Sequence, residues 1–325
     1  MQTYRHLDQL PAMAAPVIAT IGNFDGVHLG HQSVIVEVIA RARSLSGIAL
    51  AITFDPHPAL VLRPEQPFPL ITPLPRKLEL LAATGIDATL ILPFTETFCH
   101  MSAHDFAADI LHGAIRATEV HEGENFRFGY RAAAGISGEQ GLEALGRELG
   151  FAVRAYAPRQ LRGGAISSSR IRTLIVEGEV GRARALLSRA FDVESTPAPG
   201  RGYGTRYTVP TINLAPYDDL LPAHGVYITT LTVGAGAATE TFEAVTNVGN
   251  RPTFGADFFA VESHLLDFHP LEGDQALTEQ TPLRLTFLRR LRAEQRFASP
   301  DALRAQILRD VAHARRYFAL CRATR

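Results

Sequence analysis

The chain has 325 residues, 46% hydrophobic and 20% charged, with a formal net charge of −1. That length suggests about two domains, each with an ordinary core, and the near-neutral charge provides no global basic field for nucleic acid or an anionic membrane. Thirty-one arginines stand against a single lysine, Lys77, so any chemistry that needs a lysine has one candidate. Cys99 and Cys321 lie far apart without metal-ligand spacing, which argues against a zinc site or a disulfide framework. No run reaches ~18 uninterrupted apolar residues, so no membrane span is expected. Charges and proline in the first 20 residues are unlike a signal peptide. A cytoplasmic protein is the expectation.

In chain order, Ala15 to Ile21 reads as a buried strand ending at Gly22. A helix is predicted over Ser33 to Ser44, a strand over Ile48 to Phe54, a helix over Lys77 to Thr84 stopped by Gly85, and a strand over Ala88 to Phe94. Ser102 opens a further helix with Asp105 three residues on. A strand around Val120, a helix over Glu139 to Leu149 and a strand over Phe151 to Ala157 follow. Strands alternating with helices imply a parallel, doubly wound sheet. Ile171 to Leu187 reads as two short helices split near Gly178. Beyond Phe191 the pattern changes to β runs at Val226–Val233, Phe242–Val248, Val261–Phe268 and Leu283–Leu288, as in an antiparallel sheet or small barrel. A last helix starts at Ser299-Pro300, with Leu303, Ile307 and Val311 on one face. The boundary is expected near residue 190, giving modules 1–188 and 189–325.

The first candidate site is Gly22-Asn23-Phe24-Asp25-Gly26-Val27-His28-Leu29-Gly30-His31. A strand that ends in a Gly-rich turn and enters a helix presents amides to phosphate. Gly22, Gly26 and Gly30 allow close approach, and His28 and His31 share a face of one helical turn, where they can hydrogen-bond or partly neutralise phosphate oxygens. The spacing fits neither a Walker loop nor the dinucleotide fingerprint. Asp25 reads either as a ligand contact or as a cap of the turn, and Asp55 as an orienter of the loop after the second strand.

His28-Leu29-Gly30-His31 resembles the H-x-G-H signature of the adenylyl/cytidylyl-transferase superfamily. Ile166-Ser167-Ser168-Ser169-Arg170-Ile171-Arg172 is similar to its triphosphate-contacting segment. Thr53-Phe54-Asp55-Pro56-His57-Pro58 and Gly123-Glu124-Asn125-Phe126-Arg127-Phe128-Gly129 resemble segments of the prokaryotic bifunctional riboflavin kinase/FMN adenylyltransferase family. The resemblance implies a Rossmann-like N-terminal domain in which FMN phosphate attacks the α-phosphorus of ATP and pyrophosphate leaves. It implies His28, His31, Asn125 and Arg172 as catalytic groups. Gly22, Phe24, Asp25, Gly26, Gly30, Asp55, Arg127, Ser168 and Ser169 would form the binding set, with Mg²⁺ neutralising charge.

The second candidate site begins at Gly200-Arg201-Gly202-Tyr203-Gly204, a loop whose amides could cover phosphates, with Gly202 and Gly204 as binding positions. Thr211 and Asn213 are two apart, so on a strand they share a face and offer hard oxygen ligands to Mg²⁺. The segment resembles the riboflavin kinase P-T-A-N motif. Asn247 to Gly255 and Val261 to Phe268 match further signatures, and the resemblance implies Glu262 as the base for the ribityl hydroxyl. The implied architecture is an antiparallel β-barrel kinase domain with a terminal helix. The implied substrates are riboflavin, FMN and ATP, with FMN and FAD as products; no nucleic acid or membrane partner is expected, and a weak homo-oligomer is possible. Thr205, Tyr207, Thr208 and Val209 depart from the family pattern, which allows an alternative: an FMN adenylyltransferase whose C-terminal domain is an inactive flavin-binding regulatory module.

Overall fold

A computed structural model describes residues 1–12, 14–124, 141–198, 211–236, 239–253, 256–267 and 277–324, with side chains left aside at 250–253 and 256–259. By backbone contacts the chain divides into Met1–Ser168 and Ser169–Arg325.

The first unit is built on a parallel sheet of β1 (Gln2–Tyr4), β2 (Val17–Ile21), β3 (Ile48–Asp55), β4 (Ala88–Pro93), β5 (Ala117–Gly123) and β6 (Ala152–Tyr156). Their order is β1-β4-β3-β2-β5-β6. All five residues of β2 are buried, as a strand covered on both faces requires. Val17, Ala19 and Ile21 face one apolar layer with Leu50, Ile52 and Ile110. Ile18 faces the other, with Val34, Ile35, Val38 and Leu81, as the period-two alternation of a strand dictates. Helices α1 (Leu29–Ser44) and α3 (Leu74–Ala83) supply this second layer. Short α2 (Pro58–Leu62) follows β3, α6 (Leu142–Leu149) precedes β6, and a small antiparallel pair, β7 (Gln160–Leu161) and β8 (Gly164–Ala165), follows it. Between β4 and β5 come α4 (Glu96–Cys99) and α5 (Ala103–Asp105), which runs into π-type turns over Phe106–Ala114. The chain winds from β2 through β3 to β4 on one side and from β5 to β6 on the other. The strand order therefore reverses between β2 and β5, and a crevice opens at their carboxyl ends, where ligands bind in sheets of this type.

β1 escapes a reading by apolar pattern because Gln2, Thr3 and Tyr4 carry no apolar run; only pairing with β4 makes it a strand. α1 starts four residues before the expected Ser33. His28 caps it, with Nδ1 accepting from the His31 amide at 3.2 Å.

In the second unit, α7 (Ser168–Val176) and α8 (Val180–Leu187) are divided at Gly178, whose φ of +79° suits glycine. An antiparallel sheet follows: β9 (Phe191–Ser195), β10 (Thr211–Asn213), β11 (Gly225–Val233), β12 (Glu240–Thr253), β13 (Ala256–Leu265) and β14 (Leu283–Ala293). The order is β10-β13-β12-β11-β14-β9. Just beyond β9 and β10 the two edges meet in a Pro197–Leu214 bridge, with Ala198 N–H donating to Asn213 O at 2.9 Å. The sheet thus curls towards a barrel and hides its edges. A long helix, α9 (Pro300–Ala323), capped by Ser299, packs on it.

One expectation about α9 is corrected. Val311 packs on the sheet with Ala314 and Phe318, but Leu303 and Ile307 are 41% and 36% exposed. The position facing inwards is Asp310, 3% exposed, whose carboxylate accepts from Arg292 at 2.9 and 3.0 Å and from Gln306 at 2.9 Å. A buried ion pair marks the contact face, and apolar periodicity does not see it.

Candidate active sites

The chain leaves β2 at Gly22, whose amide bonds Ile52 O at 3.0 Å, and turns through Phe24, Gly26 and Val27, all with positive φ (47°, 87° and 39°). Three such residues in four make a tight turn that tertiary contacts must hold. Those contacts come from Asp25, which is 1% exposed. Its Oδ1 accepts from the amides of Ile71 and Thr72 at 3.0 and 2.9 Å. Thr72 Oγ1 accepts from the Gly26 amide at 2.8 Å. Asp25 thus ties the turn to the segment leading into α3, a structural duty that its sequence left open.

The turn delivers His28 and His31 to the amino end of α1. Their rings stack with centroids 3.6 Å apart and planes 14° from parallel. Phe24, 2% exposed, sits beside the pair with its ring edge-on to His31 at 5.2 Å. A Cβ on Gly30 would approach the His28 ring to 3.1 Å, so this glycine gives the imidazole its room. The pair stands where the first-turn amides of α1 have no intrahelical acceptors.

Burial, His28 and Lys77 together hold the His31 pKa well below the ordinary imidazole range. His31 is therefore neutral near pH 7, which favours hydrogen bonding over charge neutralisation at this ring. Its Nδ1 is buried with no hydrogen-bond partner among the described residues.

The second nucleotide motif reaches the same turn. Ser168 donates from Oγ to the Asp25 carbonyl at 2.8 Å, and the Ile166 carbonyl lies 3.5 Å from where a Gly30 Cβ would stand. Arg172 follows Ser168 by four residues in α7 and shares its helix face; Ser169 is exposed on the first turn. Asp55 ends β3 and is exposed. His57 caps α2, its Nδ1 accepting from Ala59 N–H at 3.1 Å, and Pro58 takes the first helical position. Asn125 and Arg127 lie outside the described residues, as do Gly202 and Gly204.

Two further groups lie near this crevice: Glu122, which sequence reasoning missed, and Lys77, which it noted without placing at the site. Glu122 sits at the end of β5, one residue past the His121–Thr20 pair that aligns β5 with β2. One of its carboxyl oxygens is buried without a partner among the described residues, and burial pushes its pKa up to about 7. Lys77, inside α3, is 3% exposed. Its singularity in the composition was the available signal; for Glu122 it was a carboxylate at the end of an apolar strand.

In the second unit, strand register assembles the other candidates. Asn213 on β10 pairs with Glu262 on β13, and Glu262 with Asn247 on β12. Directly paired residues hold their Cβ atoms about 4.5–5.5 Å apart. Thr211 pairs with His264 one step along, on the same face as Asn213. Ile212 and Ser263 point the other way and are buried. There a hydroxyl ladder runs from Thr229 to Thr246 at 2.7 Å and on to Ser263 at 2.9 Å. Thr211, Asn213, Glu262, Asn247 and His264 thus share the face on which α9 packs through Val226 and Val245. Sequence spacing united Thr211 with Asn213 and the resemblance added Glu262; strand pairing sets Glu262 opposite Asn213 and brings in Asn247 and His264.

A Rossmann-like unit with a stacked histidine pair at its switch point, followed by a curled antiparallel barrel unit, defines a nucleotide-dependent transferase of two parts. The FAD synthetase family profile matches residues 10–170 and the riboflavin kinase family profile residues 187–318. Bifunctional riboflavin kinase/FMN adenylyltransferases are similar over nearly the whole chain. The Pseudomonas fluorescens protein is 32% identical over 97% of both chains, and the Escherichia coli K12 protein 30% identical over 93% of both. A crystal structure from Streptococcus pneumoniae, described as a macrolide-efflux protein, superposes with a TM-score of 0.81 at 25% identity, covering 96% of this chain and 98% of that one. The chain belongs to the bifunctional riboflavin kinase/FMN adenylyltransferase family. Among the described residues no helix is long and apolar enough to cross a membrane.

Proposed function

We propose that FMN adenylylation takes place at the His28–His31 turn and riboflavin phosphorylation at the Asn213–Glu262 face. The enzyme itself is a riboflavin kinase and FAD synthetase; the reading with an inactive C-terminal module is not favoured. The functional modules in this proposal are 1–188 and 189–325, so that α7, with Ser168, Ser169 and Arg172, serves the adenylyl site.

The observation that carries the first assignment is the stacked imidazole pair at the amino end of α1, over a crevice where strand order reverses. A phosphate monoester is already anionic and needs no strong base, so the site's task is orientation and stabilisation of charge on departing pyrophosphate. His28 and neutral His31 donate hydrogen bonds to phosphate oxygens, the α1 amides add their dipole, and Arg172 supplies charge. Asn125 and Arg127 complete the flavin phosphate side. In the kinase, Glu262 accepts the proton of the attacking ribityl hydroxyl.

Thr211 and Asn213, on one face with the Glu262 carboxylate opposite Asn213, form a hard-oxygen set that fits Mg²⁺. Among the described residues no group of three His, Cys, Asp or Glu could hold a metal, so the rest of the shell falls to ATP oxygens and water. When bound, the ion neutralises charge on the transferring phosphate. We place the enzyme in the cytoplasm, acting on small molecules, without a nucleic-acid or membrane partner and at most as a weak homo-oligomer.

Separate assays of the two steps test the assignment. His28→Ala abolishes FAD formation from FMN and leaves FMN formation from riboflavin intact. Glu262→Ala does the reverse, losing about 10²–10⁴-fold in phosphorylation. A Glu262→Ala kinase within twofold of wild type ends the base assignment.

A further inference from the structure

Among 32 basic Lys and Arg side chains one alone is lysine. Where this chain needs a solvated positive charge, it uses arginine. Position 77 is the exception, and it is not solvated: Lys77 is 3% exposed, in the stretch of α3 that packs under the sheet with Leu81. An ammonium taken out of water is costly unless hydrogen bonds and opposite charge compensate. Lys77 Nζ donates to Thr53 Oγ1 at 3.4 Å. Burial lowers its pKa, while the carboxylates of Asp25 and Asp55 act in the opposite direction.

The polar and charged groups that act on this ammonium among the described residues belong to the adenylyl turn or its supports. Thr53 Oγ1 donates onward to the Asn23 carbonyl at 3.3 Å, at the start of the turn. Asp25 anchors the middle of the turn to Ile71 and Thr72. His31, at its far end, feels the lysine charge. Asp55 closes β3 beside it. One buried cation therefore faces the turn's beginning, middle and end from behind.

We propose that Lys77 is a positioning residue for adenylyl transfer: its ammonium, set behind the turn among Thr53, Asp25 and Asp55, holds the His28–His31 pair in place for the ATP phosphates. The proposal rests on locating the adenylyl site at that turn. It also accounts for the lone lysine. A guanidinium is larger, planar and carries five donors in a fixed fork, whereas among the described residues this buried space offers the cation one hydroxyl at hydrogen-bond distance. Lysine to arginine is thus not conservative here.

The test uses full-length Lys77→Arg, Lys77→Met and His28→Ala proteins, assayed for both steps. Both Lys77 variants are expected to lose about 10- to 100-fold in kcat for FAD formation, as small misplacements of reacting groups do. KM for ATP stays within about threefold. Riboflavin phosphorylation, the internal control, stays within twofold of wild type. Histidine-labelled NMR titration separates lost charge from loosening, because a loosened, hydrated His31 would titrate higher in both variants. The charges facing His31 are those of His28 and Lys77. Its titration moves to higher pH in Lys77→Met, which removes a positive charge, and not in Lys77→Arg. A thermal melt accompanies each variant: a slow Lys77→Arg with a wild-type melt is the expected pair. FAD formation within twofold of wild type in Lys77→Arg, an unmoved His31 titration in Lys77→Met, or a rate that falls only in step with lost fold overturns the proposal. If His28→Ala itself makes FAD at the wild-type rate, the location of the site fails instead.

Discussion

Glu122 carries a carboxyl group at the end of β5, next to the crevice, with one oxygen buried and unbonded among the described residues. Its folded pKa, about 7, stands above the 4.5 of a free glutamate because burial disfavours the charged form. Between about pH 4.5 and 7 the folded protein keeps a proton that the unfolded chain gives up. Stability therefore falls as pH rises through that window and levels off above it. Glu122→Gln removes the titration while keeping the shape. The variant is expected to match wild type at pH 4.5 and to exceed it at pH 8 by about 1–2 kcal/mol, a figure discounted for partial solvent screening. Thermal melts at the two pH values decide it, and equal differences at both would refute it. His31 illustrates the same physics with the opposite sign, since burial and neighbouring positive charge keep its ring neutral. Neither state is legible from residue identity, because a pKa belongs to an environment.

At the scale of elements, the turn between β2 and α1 was legible to a useful degree. Its glycines, its two histidines and the apolar run before it carry their meaning in spacing alone. What tightens the site is not in that spacing. The anchoring of Asp25 to Ile71 and Thr72 spans 46 and 47 residues, and the alignment of Glu262 with Asn213 depends on the register of β10 and β13. Non-local pairing is what a single sequence withholds. Gly30 lies between the two cases: its presence is visible, and its reason is not. Because a Cβ there would press on the His28 Cε1 and Nδ1 at 3.1 Å, Gly30→Ala pushes the ring by a few tenths of an ångström. Alanine also favours helix over glycine by up to about 1 kcal/mol. Gly30→Ala is therefore expected to leave the melting temperature unchanged or raised while FAD formation drops about 3- to 10-fold. A variant with full FAD synthesis would show that the His28 ring needs no such clearance.

For the molecule as a whole, the sequence placed the change from α/β to β grammar near residue 190, whereas backbone contacts divide the chain at Ser168/Ser169. The difference lies in α7 and α8. Amphipathic helices in a stretch between two domains carry no mark of which core they join, since apolar spacing names a face and not its partner. α8 buries Val180, Ala183, Leu186 and Leu187, and it packs against β14 and β9 of the second sheet. Gly178 fits closely there: a Cβ would meet the Tyr227 hydroxyl and Arg290 Nη1 at 2.9 Å. Arg290 in turn donates to the Glu177 carbonyl at 3.2 Å. Function and stability thus ask for different cuts. On the proposed assignment an adenylyl module would keep α7, which carries Ser168 and Arg172, while the barrel needs α8 for its apolar cover. Removing α8 forfeits the burial of three larger apolar side chains and one alanine, about 4 kcal/mol or more at 1.5–3 kcal/mol for each larger one. At about 4 °C per kcal/mol for a domain of this size, a fragment of residues 189–325 is expected to melt about 15 °C below one of residues 169–325, or not to fold. Riboflavin kinase activity and circular dichroism of the two fragments provide the measurement. Equal melting temperatures would mean that α8 adds nothing to the barrel and that residue 188 is the structural boundary as well as the functional one.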